Sequence, residues 1–284
     1  MFSYRHGFHA GNHADVLKHA ILVSLLQYMA RKDKAYWYID THAGAGAYSL
    51  VEGFAAKREE FGNGIGRLWG RSDLPPAPPM IADYLAAVAT MNPDGALRYY
   101  PGSPYLAWQH LREQDRMRLF ELHPSEIDIL GENFDQAGKR AILTRADGFD
   151  AVRSVLPPPT RRALMLIDPS YEDKQDYGRT LDSLVESVRR FPSGTYAVWY
   201  PIVTRAEALA FPRRLRELGF RSWLDASLSI SAAPADGFGL YGSGLFIVNP
   251  PFVLEGELRD VLPWLVDTLG QDAQARFTLD AVIP

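Results

Sequence analysis

The run Asp168-Pro169-Ser170-Tyr171 directly follows a short apolar stretch and combines two hydrogen-bond acceptors with an aromatic ring. The Asp168 carboxylate and the Pro169 carbonyl can hold the hydrogens of an aromatic amine, whose lone pair is otherwise delocalised into its ring. Tyr171 offers a face on which a nucleobase can stack. The run therefore suits chemistry on the exocyclic amine of an adenine, although in isolation an ordinary Asp-Pro-Ser turn explains it equally well.

Six short apolar runs recur along the chain, and each stops at a small, polar or acidic residue. They are 35–39, 117–120, 141–144, 163–167, 196–200 and 245–248. Segments between them, such as 180–190 and 204–218, have the apolar spacing of amphipathic helices. This alternation predicts an α/β fold with a mostly parallel, doubly wound sheet. Ligands of such sheets bind beyond the carboxyl ends of the strands.

Residues suited to a nucleoside cofactor follow the first three runs. Gly44 and Gly46 can form a tight strand-to-helix turn that approaches a ligand closely. Glu121 can accept the two hydroxyls of a ribose, and Asp147-Gly148 can contact an adenine amino group and ring. Taken singly, each also fits a plain alternative: a structural turn for the glycines and for Asp-Gly, and an exposed acid for Glu121.

A second run, Asn249-Pro250-Pro251-Phe252, has the same pattern of acceptor, proline and aromatic residue. Position along the chain favours Asp168, because Glu121, Asp147 and Asp168 end consecutive strands and are expected beside one cofactor. Asn249 comes after two further strands, so we expect it near the far edge of the sheet.

The stretch 51–98 interrupts the rhythm of strands and helices. It contains Gly62-Asn63-Gly64, a proline-rich segment at 74–79 and a short helical pattern at 81–91. Prolines and glycines exclude a regular core element over most of it. We interpret 51–98 as a small helical subdomain inserted between the first and second strands of a single domain, 1–284.

Composition sets outer limits on function. The chain has no cysteine, which excludes disulfides, thiolate nucleophiles and cysteine-ligated metals and fits a reducing compartment. The formal net charge of −4 neither favours nor excludes a polynucleotide substrate, because phosphate binding needs only a local basic patch. No signal peptide and no membrane-spanning run is visible, so we expect a cytoplasmic protein without membrane association.

Four of the seven histidines lie near the N-terminus, at His6, His9, His13 and His19. A metal-dependent nuclease is one interpretation, but no three of them have a spacing that fixes a tetrahedral site, so we predict no metal. The segment 1–20 is better suited to phosphate, base and carboxylate contacts, with Tyr4, Arg5 and His6 directed to a nucleic acid.

Several segments resemble the bacterial 23S ribosomal RNA large-subunit methyltransferase J family. The most specific is the run SYRHGFHAGNHADVLKH at 3–19, and the others are 40–46, 98–104, 121–124, 146–149 and 194–201. The resemblance covers essentially the whole chain. It implies a Rossmann-like class I S-adenosylmethionine-dependent methyltransferase fold with a helical insertion, and N6-methylation of one adenine in 23S rRNA.

The resemblance also implies roles for individual residues. Asp168 corresponds to the catalytic acceptor, assisted by Pro169 and Tyr171, and Tyr4 to a contact with the RNA. Cofactor contacts are expected from Lys18, His19, His42, Ser103, Glu121, Asp147 and Gly148, to which the turn at Gly44 is added. The family's usual tetrad is Asp-Pro-Pro-Tyr, so Ser170 is a departure that bears on the stiffness of the loop and the fit of Tyr171.

The resulting expectation is a monomeric enzyme that converts S-adenosylmethionine to S-adenosylhomocysteine on free or precursor 23S rRNA. Two alternatives stay open: the metal-dependent nuclease, and a non-catalytic RNA-binding module that keeps a methyltransferase fold. A nicotinamide dehydrogenase is disfavoured, because Ser49 replaces the third glycine of the dinucleotide fingerprint.

Overall fold

The computed structural model describes residues 7, 9–52 and 60–284. The strands of this part are β1 (Trp37–Asp40), β2 (Ala47–Ser49), β3 (Tyr99–Pro101), β4 (Arg116–Phe120), β5 (Ala141–Thr144), β6 (Ala163–Ile167), β7 (Thr195–Ile202), β8 (Trp223–Ser229), β9 (Gly242–Val248) and β10 (Arg276–Val282). Eight of them form one sheet in the order β10-β8-β9-β7-β6-β1-β4-β5, and β2 pairs with β3 in a separate ribbon.

Helices cover both faces of the large sheet. They are α1 (His13–Ala30), α2 (Pro79–Ala89), α3 (Ser103–His110), α4 (Pro124–Asn133), α5 (Gly148–Val155), α6 (Gln175–Arg190), α7 (Ala206–Glu217) and α8 (Leu254–Leu269). Short 3-10 helices occupy Glu60–Asn63, Ile65–Arg67 and Asp135–Arg140.

Strand β6 shows how the sheet is buried on both sides. All five of its residues are buried. Leu164 and Leu166 pack in the cluster that includes α1 and α8, whereas Met165 and Ile167 pack in the cluster that includes α6 and α7. Since side chains alternate between faces, a strand covered on both faces has to be apolar throughout. This explains why the uninterrupted apolar run predicted the strand.

The predicted α/β fold with a mostly parallel, doubly wound sheet is confirmed. All six apolar runs lie in strands, and β1, β4, β5, β6 and β7 are parallel to their neighbours among these five. The expectation of a parallel strand at 245–248 is wrong. Strand β9 is antiparallel to β7 and β8. The loop 230–241 that joins β8 to β9 contains no helix, whereas a crossover between parallel strands usually does.

The reversal of β9 decides the position of the second acceptor-proline run. Asn249 follows β9 at the edge of the sheet opposite to the carboxyl ends of β1 and β6, where its side-chain amide donates to the carbonyls of Pro192 and Gly194. The prediction that Asn249 lies near the far edge in strand order is also wrong, because β9 lies between β7 and β8. Asn249 therefore has a structural role away from the strand ends that form a site.

The predicted insertion, 51–98, lies between β2 and β3, whose antiparallel pairing joins its two ends. Its described part contains two 3-10 helices and α2, which begins with Pro79 in the first turn, where the missing N–H costs no hydrogen bond. Helix α2 packs against α1. The predicted helix at 81–91 is thus observed about two residues earlier.

Helix α1 brings polar residues of the N-terminal segment into the interior. It begins after Asn12, whose side-chain oxygen accepts from the backbone N–H groups of Ala14 and Asp15. Lys18 and His19 are buried on this helix. Among the described residues, no helix has both the length and the apolar character needed to cross a membrane.

Candidate active site

The carboxyl ends of β1, β4, β5 and β6 meet beside a cavity of about 360 Å³. Small-molecule sites are of this size, and in open α/β sheets they lie at this edge. The predicted residues that line the cavity are Lys18, His19, His42, Gly44, Ser103, Glu121, Asp147, Gly148, Asp168 and Pro169. The structure therefore brings together all eight residues predicted to contact a cofactor and two of the three predicted for catalysis.

Gly44 and Glu121 are adjacent although 77 positions separate them in the chain. The N–H of Gly44 donates to Oε2 of Glu121 over 2.8 Å, and the N–H of His123 donates to Oε1 over 2.7 Å. Gly44 and Gly46 have φ of 59° and 81°, in the left-handed region that favours glycine. Two backbone donors thus orient the carboxylate of Glu121 at the cavity wall and leave it further lone pairs for a ligand.

Asp147 caps helix α5 and holds an arginine. Its Oδ1 accepts from the N–H of Phe149 over 3.0 Å, and its Oδ2 accepts from Nη2 of Arg179 over 2.5 Å. At Gly148 a Cβ atom would lie 1.7 Å from the carbonyl oxygen of Thr41, so only glycine lets α5 approach the end of β1 this closely. The Asp-Gly pair is therefore a helix start built against the cavity.

Ser103 and His42 reach the cavity from the ends of other elements. Ser103 begins α3 and donates through Oγ to Oδ2 of Asp40 over 2.7 Å. Burial raises the pKa of Asp40 to about 6, against the hydrogen bonds from Ser103 and Tyr38, which lower it. Burial lowers the pKa of His42 to about 4, although nearby carboxylates raise it. Near pH 7 His42 is consequently neutral, with a ring nitrogen able to accept a hydrogen bond.

Lys18 connects Asp168 to a second buried carboxylate. Its Nζ lies 2.7 Å from Oδ2 of Asp168 and 2.9 Å from Oδ1 of Asp15. Burial alone would lower the pKa of Lys18, but the two carboxylates outweigh it and hold the pKa above its ordinary value. Lys18 is therefore a permanent cation. The next residue, His19, is hydrogen-bonded through Nδ1 to the hydroxyl of Tyr100 over 2.8 Å.

A second cavity, of about 210 Å³, lies on the other side of Asp168. It shares Lys18, Asp168, Ser170 and Glu172 with the larger cavity. Its other lining residues are His9, Asn12, Ala14, Asp15, Tyr171, Tyr177, Trp199, Pro201, Val203, Arg205 and Leu240. Asp168 therefore stands in a wall common to two cavities.

Tyr171 lies at the second cavity and not at the first. It has a φ of 55°, and its hydroxyl donates to the carbonyl of Trp199 over 2.7 Å. Its ring packs beside Tyr177, with 4.7 Å between the centroids. The side chain of Tyr171 is buried, and its ring is held in place by these contacts. Only the part of the ring that faces the cavity can contact a ligand.

The predicted RNA contacts of the N-terminal segment stay predictions. Tyr4, Arg5 and His6 lie outside the described residues. His9 is hydrogen-bonded through Nδ1 to Glu60, and burial lowers the pKa of His13 to about 4, against the charges of Glu60 and Asp15. Within the described ranges, no group of three or more His, Asp or Glu side chains is arranged to hold a metal ion.

Four further residues belong to the site although the sequence did not mark them as functional. Asp40 ended a predicted strand but was not assigned a role, and Arg179 lies within a helix whose charged residues resemble any solvated face. Asp15 lies in the N-terminal segment, but no role was predicted for it. Trp199 lies inside a strand. Their roles depend on contacts across the fold, for which a single sequence carries no local signal.

The chain has extensive similarity to known proteins. A family model described as "Ribosomal RNA large subunit methyltransferase D, RlmJ" matches residues 33–283. Proteins named ribosomal RNA large subunit methyltransferase J from Escherichia coli and Haemophilus influenzae are each 42% identical to it, over 284 and 285 residues and 100% of both chains. A crystal structure of a Legionella pneumophila protein has a TM-score of 0.86 at 35% identity and covers 96% of this chain and 98% of that one.

Proposed function

The chain belongs to the ribosomal RNA large subunit methyltransferase D, RlmJ family, and we propose that it methylates N6 of an adenine in 23S rRNA at Asp168. Family membership confirms the predictions of an rRNA methyltransferase and of S-adenosylmethionine as its cofactor. The adenine target and the roles of the individual residues are the proposal. They are supported by the arrangement of the two cavities.

The larger cavity fits the cofactor. Its wall carries Glu121 and Asp147 at the ends of neighbouring strands, as carboxylate acceptors for ribose hydroxyls and for an adenine amino group. Ser103, at the N-terminus of α3, and the neutral ring of His42 lie on the same cavity and suit the polar methionine end. When bound, S-adenosylmethionine supplies a methyl group on a cationic sulfur, which needs no further activation.

The smaller cavity fits the target base. It is lined by the aromatic residues Tyr171, Tyr177 and Trp199, which suit the flat faces of a nucleobase. An adenine has to leave its stack to enter such a cavity, so the substrate adenine is unpaired or flipped when it reacts. Arg205 lies on the same cavity and can meet a phosphate of the RNA.

Asp168 and Pro169 hold the amine at the junction of the two cavities. Oδ2 of Asp168 is engaged by Lys18, which leaves Oδ1 to accept from one N–H of the amine, while the Pro169 carbonyl accepts from the other. These two bonds localise the lone pair on nitrogen and direct it to the methyl group. As the new N–C bond forms, the bond between the methyl carbon and the donor's sulfur would break and leave S-adenosylhomocysteine. The amine nitrogen would then lose one proton, for which the Asp168 carboxylate is the acceptor.

One observation carries this proposal. Asp168 lines both cavities, so a methyl donor in the larger and a base in the smaller meet at one carboxylate. A turn with a purely structural role is not expected to line two cavities at once. The order of the strands places the turn there, at the end of β6 and beside β1.

Replacement of Asp168 tests the assignment. We expect Asp168→Asn and Asp168→Ala to lower kcat on transcribed 23S rRNA by about 10²-fold or more, because an acceptor present in the transition state is removed. The affinity for S-adenosylhomocysteine, measured by calorimetry, should change by less than about 3-fold. Asp225→Asn is the matched control, because Asp225 is a buried carboxyl that lines neither of these two cavities. Full activity in Asp168→Ala would exclude the assignment.

The same preparations separate the alternative functions. Mass spectrometry of nuclease digests should detect N6-methyladenosine at one position of the RNA. Cleavage of RNA that a chelator abolishes would instead support the metal-dependent nuclease, and RNA binding without methylation or cofactor affinity would support a binding module.

Three predictions about the setting of the reaction accompany the proposal: a free or precursor form of 23S rRNA as the substrate, a monomeric enzyme and a cytoplasmic location. A base that has to enter the second cavity is more accessible in deproteinised RNA than in an assembled particle. Deproteinised 23S rRNA should therefore be methylated faster than assembled large subunits. Light scattering during chromatography measures the oligomeric state.

A further inference from the structure

Asp15 is the second carboxylate, besides Asp168, that contacts Nζ of Lys18. Its Oδ2 accepts from the backbone N–H of Gly11 over 2.9 Å, and its Oδ1 lies 2.9 Å from Nζ of Lys18. Only about 2% of Asp15 is exposed. A buried carboxylate is costly unless its oxygens are paired, and here each of them meets a donor.

The inserted segment fixes the backbone that holds Asp15. The N–H of Ile65 donates to the carbonyl of Gly11 over 2.8 Å. Gly64 approaches the same carbonyl so closely that a Cβ atom there would lie 2.1 Å from it. Gly11 itself has a φ of 76°. The backbone at Gly11 is therefore fixed by the inserted segment, and Gly11 in turn fixes the carboxylate of Asp15. A movement of the Lys18 side chain would leave Asp15 in place.

Lys18 needs such an anchor. A lysine side chain has four rotatable bonds, and a single ion pair leaves most of that freedom in place. Asp15 and Asp168 both contact the ammonium, and the centroid of the Trp199 ring lies 5.6 Å from it. The ammonium is consequently confined to one position, and Oδ2 of Asp168 is confined with it.

We propose that Asp15 is a positioning residue for methyl transfer, acting through Lys18 to fix the carboxylate of Asp168 with Oδ1 directed to the substrate amine. The inference rests on the proposed function of Asp168. Asp15 lines the smaller cavity, but its two carboxylate oxygens are engaged by Gly11 and Lys18, and this scheme assigns it no contact with the base or the cofactor. Its effect is on how often Asp168 is correctly oriented when both ligands are bound, and so on kcat more than on KM.

A purely structural role for Asp15 makes a different prediction. Asp15 is the third residue of α1 and bonds back to the N–H of Gly11, as acidic residues at helix starts often do. The amide oxygen of asparagine can accept the same hydrogen bond. With that oxygen engaged by Gly11, the amide nitrogen, which cannot accept a hydrogen bond, faces Lys18. Asp15→Asn therefore keeps the cap and removes both the charge and the acceptor that hold Lys18.

The test compares Asp15→Asn, Lys18→Gln and the double variant with wild type. We expect Asp15→Asn to lower kcat by about 10- to 100-fold, as for misplacement of a reacting group. KM for the RNA and Kd for S-adenosylhomocysteine should stay within about 3-fold. The double variant should be no slower than Lys18→Gln alone, because residues that act through one another are not additive.

Two further measurements guard against loss of folding. Lys18→Gln leaves the buried carboxylate of Asp15 and the partly buried one of Asp168 without their cation. The double variant removes the buried charge, so its Tm should lie above that of Lys18→Gln. Asp225→Asn, another carboxyl about 2% exposed, is the control and should keep kcat within about 2-fold. If Asp15→Asn does not fold, Asp15→Glu carries the test: the charge is kept but displaced, and kcat should fall at unchanged KM.

The outcomes separate this inference from the proposed function. An unchanged kcat in Asp15→Asn, or a double variant slowed by the product of the two single effects, overturns the role of Asp15 while leaving Asp168 in place. An active Asp168→Asn overturns the proposed function itself. Loss of kcat in Asp168→Asn and Asp15→Asn together, with non-additivity at Lys18, supports both.

Discussion

Arg179 on α6 is paired with Asp147, the residue that caps α5, with Nη2 of the arginine 2.5 Å from Oδ2 of the aspartate. The guanidinium also lies 4.3 Å from the centroid of the Phe149 ring. Both charged groups are partly exposed, so the pair adds little to stability. Its effect is to orient a carboxylate that faces the cofactor cavity, and this part of the site is held by two helices and not by the sheet alone.

Loss of Arg179 should therefore weaken cofactor binding selectively. For Arg179→Ala we expect Kd for S-adenosylhomocysteine to rise about 3- to 10-fold, because Asp147 keeps its charge but loses the contact that orients it. Isothermal titration calorimetry measures this. Arg189→Ala, on the same helix and paired with Glu186 at the surface, is the control and should bind the cofactor as wild type does. Equal affinities in the two variants would contradict the role given to Arg179.

Gly148 should tolerate no side chain. Its Cβ would meet the Thr41 carbonyl oxygen at 1.7 Å, and backbone cannot give way as a flexible side chain can. We expect Gly148→Ala to lower the free energy of unfolding by about 1–3 kcal/mol, as for other overpacked positions. Urea denaturation followed by circular dichroism measures it. Gly178→Ala is the matched control: it lies in α6 with open space around its Cβ, and should be neutral or stabilising by about 0.5–1 kcal/mol.

The stability of the protein should carry a pH-dependent contribution from Asp225. Burial raises the pKa of Asp225 from 3.8 to about 6, against the hydrogen bond from Tyr200 and the charge of Arg216, while the charge of Asp280 adds to the rise. Because the folded pKa exceeds the unfolded one, this contribution is fully present below the unfolded pKa and is lost as pH rises through the folded pKa.

Asp225→Asn removes that contribution. Between about pH 4.5 and about pH 7, the free energy of unfolding of wild type should fall relative to that of Asp225→Asn by about 1–3 kcal/mol. Urea titrations of both proteins at the two pH values give the difference. A gap between them that stays constant, or that widens in favour of wild type as pH rises, would show that Asp225 is not protonated in the fold.

Ser170 stands where the tetrad Asp-Pro-Pro-Tyr has a proline, and its hydroxyl is weakly engaged in the described part of the chain. Its Oγ accepts only a long hydrogen bond, 3.5 Å, from the N–H of Glu172, and the acceptors assigned to the amine belong to the two preceding residues. We expect Ser170→Pro to keep kcat within about 3-fold and to leave Tm equal or higher, since proline restricts the unfolded chain. A large loss of kcat would mean that Ser170 itself contacts the base.

Much of the fold could be predicted from the sequence because buried strands have an unmistakable pattern. β1, β4, β5 and β6 are short, apolar and end in Asp, Glu or turn residues, so their carboxyl ends and the cavity residues there followed directly. The same rule missed β8, where Asp225 and two serines alternate with apolar residues although the strand is buried from Leu224 to Ser229. It also missed β10, an exposed edge strand.

Contacts between distant parts of the chain account for the rest. The strand pattern contains no information on direction, so β9 was predicted to be parallel although a hairpin reverses it. The pairing of Lys18 with Asp168 joins residues 150 positions apart. Arg179 has no apolar or turn pattern around it that distinguishes it from a solvated helix residue. Such contacts depend on packing between elements, which only the folded chain determines.

Because β9 is reversed, the two cavities differ in how much of the surrounding structure a substitution in their walls would disturb. The larger cavity is lined by turns that each lead from a parallel strand into a packed helix. A change in such a turn disturbs both the strand and the helix. The smaller cavity is lined in part by Leu240, which lies on the loop between β8 and β9. Such a loop can change in length and composition while its strands stay paired. A change of this loop would therefore alter the wall of the smaller cavity and leave the strand ends around the larger cavity as they are.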